Sequence, residues 1–255
     1  MLHSSLLYLP DQHDLTPEAG IDWQQRFAVL AEQAQDPRLR AYYAAGMYDG
    51  QTPLREVRLM AMDVETTGLD PAKDEIISIG IVPMSWDRIR ASMSRHWIIK
   101  PQAPLGDESI TLHGITHSRV EHAPCLLDVL EPFLQAIAGH VLVVHCRTIE
   151  RTFINNALNR LIRESLEMPM IDTMELEARV HRQPVADPRP WWQRLFKPRP
   201  YQQVSIRLAD SRNRYGLPFY KPHHAVTDAL ATAELLQAQI AHRFSPDTRL
   251  DQLWH

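Results

Sequence analysis

Asp63 and Glu65 stand two residues apart in Asp63-Val64-Glu65-Thr66-Thr67-Gly68, where an apolar run gives way to a turn. Side chains two apart on a strand leave from one face, so both carboxylates are presented together at the strand end. Like charges held that close raise each other's pKa unless a cation lies between them, and oxygen donors favour Mg²⁺ or Mn²⁺. Alone, the pair equally suits a solvated strand end.

A second cluster, His223-His224-Ala225-Val226-Thr227-Asp228, opens the last amphipathic stretch after Pro222. Five helical steps of about 100° would leave His223 about 140° from Asp228, so the two can flank one point only with the histidine in the preceding loop. Asp228 could then hold a cation, and an imidazole of reference pKa about 6.5 could take a proton from bound water. An aspartate favouring a helix start beside a solvated histidine is the plainer reading. The third cluster, His145–Phe153, puts Glu150 in the first turn of a helix at the carboxyl end of a strand, where open α/β sheets bind ligands. A glutamate that simply favours the positive helix end reads the same way.

The elements that must position these groups are legible in outline. Residues 1–55 read as a helical preface: Trp23, Phe27 and Leu30 recur at helical spacing, Asp36-Pro37 suits a helix start and Gly46 a stop. Strands are predicted over Val57–Val64, Glu75–Met84 and Met93–Lys100, with short connections that suggest an antiparallel meander. A helix over Leu126–Ala138, a strand over Val141–His145, a helix from Thr148 to Glu164, a strand over Met170–Asp172 and a helix through Arg179 then indicate a parallel extension of the sheet. The last helix runs from Ala225 to about Ala241, with Ala229, Leu230, Ala233, Leu236 and Ile240 on its inner side. The fold class is therefore mixed α/β. Between Arg182 and Tyr201, five prolines rule out a long regular element. Trp191, Trp192 and Phe196 are interleaved there with arginines, suiting either a single-strand contact or an anchored excursion.

Composition narrows the classes. With 44% hydrophobic and 23% charged residues the 255-residue chain is an ordinary globular one, and a net charge of −4 gives no global basic field for a polyanion. Two cysteines, Cys125 and Cys146, exclude a disulfide framework or a multi-cysteine zinc site. The absence of an apolar span or a secretory leader in the sequence leads us to expect a cytoplasmic protein with no membrane partner.

Jointly, the three clusters resemble the DEDDh 3′–5′ exonuclease family, and within it the epsilon-type proofreading branch of bacterial DNA polymerase III. Its most specific carriers are Asp63-Val64-Glu65-Thr66-Thr67-Gly68-Leu69 and the step from His223 to Asp228; His113-Gly114-Ile115-Thr116, Asp172-Thr173 and Tyr215-Gly216-Leu217 support them. The resemblance runs from about Arg58 to Ala241, suggesting an extension over 1–55 and an exonuclease domain over 56–245 with a Pro/Arg/Trp-rich insertion at about 182–203. It implies a ribonuclease-H-like fold, a mixed five-stranded sheet flanked by helices, and two divalent ions, Mg²⁺ or Mn²⁺. By position, Asp63, Glu65, Glu150 and Asp228 would hold the metals and His223 would be the general base. Thr66, Thr67 and Gly68 would lie against the terminal nucleotide, and His113 and Ile149 would line its pocket. Two departures stand out: the family normally has aspartate at the Glu150 position and asparagine where Cys146 stands.

The function implied is release of 5′-monophosphates from a 3′ end, with single-stranded DNA as the expected partner. An exoribonuclease or oligonucleotidase is the alternative, since selection at the 2′-hydroxyl depends on contacts the motifs do not specify. A non-catalytic nucleic-acid or partner-binding module is a third, motivated by Glu150. The preface could dock a protein partner, form a dimer contact or cap the domain's own core.

Overall fold

The computed structural model describes residues 20–102, 115, 117–181 and 204–254; His113 and the Arg182–Tyr201 segment lie outside them. Five strands, β1 (Leu59–Thr66), β2 (Ile76–Met84), β3 (Arg95–Ile98), β4 (Val141–Val144) and β5 (Met170–Asp172), form one sheet in the order β3-β2-β1-β4-β5. The first three run antiparallel, and β4 and β5 extend the sheet in parallel from β1. This is the mixed, helix-flanked sheet the sequence implied. β1 and β2 are buried along nearly their whole length, which explains their unbroken apolar runs. β1 continues two residues past its predicted end, and its register with β2 slips between Glu65 and Thr66. Such an irregularity bends the strand and re-aims its side chains. It falls directly after the two carboxylates.

Eight α-helices accompany the sheet among the described residues: α1 (Trp23–Gln33), α2 (Pro37–Ala44), α3 (His117–Glu121), α4 (Leu126–Ile137), α5 (Arg147–Ile162), α6 (Thr173–His181), α7 (Leu208–Arg214) and α8 (Ala225–Arg243). The sequence reading missed α3 and α7, of 5 and 7 residues, because fewer than two turns leave no periodic apolar stripe to detect. α8 lies against β1 and β2, burying Ala229, Ala233, Leu236 and Ile240. Among the described residues no helix is long and apolar enough to cross a membrane.

The described part of the extension shares the main core. Asp36 caps α2 by accepting from the Arg38 N–H at 2.8 Å, with Pro37 opening the helix as expected. Phe27 meets the Tyr42 and Tyr43 rings at 5.4 and 5.2 Å, and Trp23 meets Trp254 at 6.4 Å. Burying Phe27 alone contributes roughly 1.5–3 kcal/mol. The Glu164 carboxylate accepts from the Gln35 and Asp36 N–H groups, and Arg26 pairs with Glu167. Of the three roles open to the apolar stripe, this part caps the domain's own core.

Candidate active site

The row Asp63, Gly80, His96 crosses β1, β2 and β3. Gly80 decides what lies over it: a Cβ there would come within 2.3 Å of the Ala225 carbonyl carbon and 2.4 Å of the Val226 nitrogen. Only a residue without a side chain lets the first turn of α8 press onto the sheet. That approach brings Asp228, one turn inside α8, to the two β1 carboxylates. Ligand oxygens of Asp63, Glu65 and Asp228 all lie within 4.8 Å of one another. The sequence reading did not single out Gly80, although an isolated glycine within a strand pattern is the signal of close backbone approach.

The electrostatics follow from that crowding. Burial, then the charges of Glu65, Asp228 and Glu150, hold the Asp63 carboxyl well above the usual carboxylate range. A cluster of hard oxygen donors whose ionised forms repel one another fits a divalent cation of the Mg²⁺ or Mn²⁺ type.

Glu150 occupies the first turn of α5 and is 3% exposed. It lies outside the close group of three, but its charge reaches Asp63. Burial and the neighbouring Asp172 push its carboxyl up to about 8, and its Oε2 has no hydrogen-bond partner among the described residues. Asp172, at the end of β5, fixes where α5 begins by accepting from the Cys146 and Arg147 N–H groups at 3.1 and 2.9 Å. The sequence reading used Asp172 only as a supporting motif. Cys146 takes a left-handed conformation, φ 109°, a region that asparagine, the residue the resemblance implied there, enters more readily. Burial pushes its thiol up to about 12, which keeps it protonated and unreactive. His145 bridges to Thr173 Oγ1 at 2.8 Å and to the Ile206 carbonyl at 3.0 Å, and burial lowers it to about 4.

His223 lies in the loop before α8, as its angular relation to Asp228 required, and His224 is the N-cap. His223 has φ 72°, and its backbone N–H donates to Asp228 Oδ2 at 2.8 Å. The His224 ring packs at a tilt against His96, with ring centroids 4.7 Å apart, and His96 Nε2 is 2.7 Å from Ser78 Oγ.

The Thr66–Gly68 turn is cinched by Asp74, another residue the sequence reading passed over. Asp74 accepts from Thr67 Oγ1 at 2.9 Å and from the Asp70 N–H at 2.8 Å, and a Cβ on Gly68 would fall 2.5 Å from its Oδ2. Ile149 at the start of α5 and Leu69 after the turn are both partly open to water. His113, the other residue expected to line the pocket, lies outside the described residues.

Residues 60–236 match the exonuclease family model RNase_T. The PolC-type DNA polymerase III of Thermotoga petrophila is 27% identical over 235 residues, 91% of this chain and 15% of that one. The corresponding protein of Bacillus subtilis is 28% identical over 235 residues, 92% of this chain and 14% of that one. The chain therefore spans about 15% of the length of these curated relatives. Among solved structures, the nuclease domain of 3′hExo, a DEDDh family member bound to rAMP, superposes with a TM-score of 0.57 at 18% identity, covering 73% of this chain and 92% of that one. Exonuclease X, in complex with 5′ overhanging duplex DNA, gives 0.54 at 19% identity, covering 76% and 98%. These superpositions establish a shared fold.

Proposed function

The chain belongs to the RNase_T exonuclease family, and we propose on that premise that it removes nucleotides from the 3′ end of single-stranded DNA as 5′-monophosphates, using Mg²⁺ or Mn²⁺. The observation that carries the reading is the gathering of Asp63, Glu65 and Asp228 oxygens within 4.8 Å, with Asp63 raised by its neighbours. Two divalent ions, when bound, supply a hydroxide at neutral pH and stabilise the leaving oxygen. Asp63, Glu65 and Asp228 are the ligands in this reading, and Glu150 is the fourth acid.

His223 acts as the general base, taking the proton of the attacking water. Its backbone tether to Asp228 keeps the loop that carries it beside the acids. Thr66, Thr67 and Gly68 receive the terminal nucleotide on a turn that Asp74 keeps closed, and Ile149 offers an apolar wall. The polymerase names of the curated relatives favour DNA over RNA.

The test is hydrolysis of matched single-stranded DNA and RNA labelled at the 5′ end, with Mg²⁺, with Mn²⁺ and with chelator. A ladder shortening from the 3′ end of DNA in either metal, lost on chelation, is expected. Faster shortening of RNA overturns the choice of substrate. Binding without cleavage in both metals overturns the enzyme.

A further inference from the structure

The five-residue loop from Pro218 to Pro222 carries a side chain that the fold leaves in water. Phe219 is 91% exposed, the highest value among the large apolar side chains described. A phenyl group in that position forfeits the gain of burial, and the loop that holds it there is firmly mounted. Arg212, itself 2% exposed, donates through Nη2 to the Pro218 carbonyl at 3.0 Å and covers the Tyr220 ring at 4.9 Å. The same guanidinium is fixed to α8 by the Ala231 carbonyl and by Glu234, each at 2.7 Å. The Leu217 N–H closes onto the Arg212 carbonyl at 3.1 Å. Pro218 and Pro222 further restrict the backbone on either side of Phe219.

The mount stands beside the acid cluster. Tyr220 is raised by its burial and then by the charges of Asp228 and Asp63, and the loop ends at His223, whose N–H binds Asp228. Lys221 is exposed two residues after Phe219. An exposed ring and a cation on one rigid loop next to a phosphodiester-cleaving centre match the two features of a nucleic acid strand, the base face and the phosphate.

We infer that Phe219 is a stacking platform for an unpaired base of the substrate strand, with Lys221 against an adjoining phosphate. This rests on the exonuclease reading above.

The test uses the full chain and short single-stranded oligodeoxynucleotides, each carrying one abasic position stepped inward from the 3′ end. Binding is measured in an Asp63→Ala background, and KM and kcat in the active protein. Phe219→Ala should raise KM about five- to a hundredfold, the range of one lost stack, with kcat nearly unchanged. Phe219→Trp should restore it. One abasic position should weaken binding to the Phe219 protein and have no further effect in Phe219→Ala. If Phe219→Ala leaves KM and the abasic profile as they were, the inference is overturned, and the ring faces a protein partner or nothing. If the active protein neither binds nor cleaves any oligonucleotide, the exonuclease reading falls first and this inference with it.

Discussion

Helix α8 connects two buried carboxylate centres with opposite electrostatics. Near its first turn, Asp228 joins Asp63 and Glu65, and Asp63 is driven well above its ordinary range. Toward its far end, roughly 20 Å away at 1.5 Å per residue, Glu177 is fully buried. It accepts from Tyr215 at 2.8 Å, Gln239 at 2.9 Å and Arg214 at 2.7 Å, and pairs with Arg243 and with His181. Burial pushes Glu177 up, but the hydrogen bonds from Arg214, Gln239 and Tyr215 and the charge of Arg243 prevail and hold it below its ordinary value. The same chemical group is thus a rivet joining α6, α7 and α8 in one place and a source of strain in the other. Acids crowded together in the interior cost stability, so their retention points to a cation and to chemistry.

The strongest way to break this contrast is Asp63→Ala. We expect hydrolysis to fall by at least about 10³-fold, the scale of losing metal-derived charge stabilisation. Thermal stability without metal should stay the same or rise, because a repelling charge is gone. Near-native turnover in the purified variant would remove the distinction between the two centres. Asp63 is a cleaner choice than Asp228, which also accepts the His223 N–H. Next is Glu177→Ala, which strands Arg214 and Arg243 without their carboxylate. It should cost about 3–5 kcal/mol in denaturant unfolding while the folded fraction keeps its kcat. A stability within error of the parent would show that the far cluster is no rivet.

The contrast can also be read through pH. Glu150 is raised from 4.5 to about 8, so in metal-free protein its contribution is fully present below pH 4.5 and is lost as pH rises through about 8. The melting temperature of the chelated protein should therefore fall over that window, by several degrees for a domain of this size. Mg²⁺ or Mn²⁺ should oppose the fall, and Glu150→Gln should flatten it. A pH-independent melting temperature in chelator would contradict the raised Glu150 carboxyl. The smallest effect is expected of Tyr215→Phe, which removes one donor from Glu177 and leaves the others. A loss of about 1–2 kcal/mol, with unchanged hydrolysis, would sharpen the account of how that charge is compensated.

Local pattern carried the chemistry into view. The two-residue period of a strand showed that Asp63 and Glu65 share a face, and the 100° helical step showed that His223 and Asp228 can flank one point only with His223 in the loop before the helix. The order of strands and helices showed the sense of pairing, antiparallel for the first three strands and then parallel, because short connections favour antiparallel neighbours and helical ones parallel; that β4 joins β1 and not β3 was not legible in that order. Short helices such as α7 left no period to read, and α7 carries both Arg212 and Arg214.

What the linear pattern could not contain is which distant groups meet. Gly80 matters because Ala225 lies on it, 145 positions further along the chain. Glu177 is neutralised by residues from α6, α7, α8 and the turn at Tyr215, and its charge alone would have read as a solvated helix acid. Asp74, Asp172 and Arg212 likewise acquire their roles only through partners brought near by the fold. Periodicity reports which face of an element is buried, since burial is a property of each residue's own environment. Hydrogen bonds, close backbone approach and the sign of a pKa shift belong to pairs, and tertiary structure alone selects the pairs.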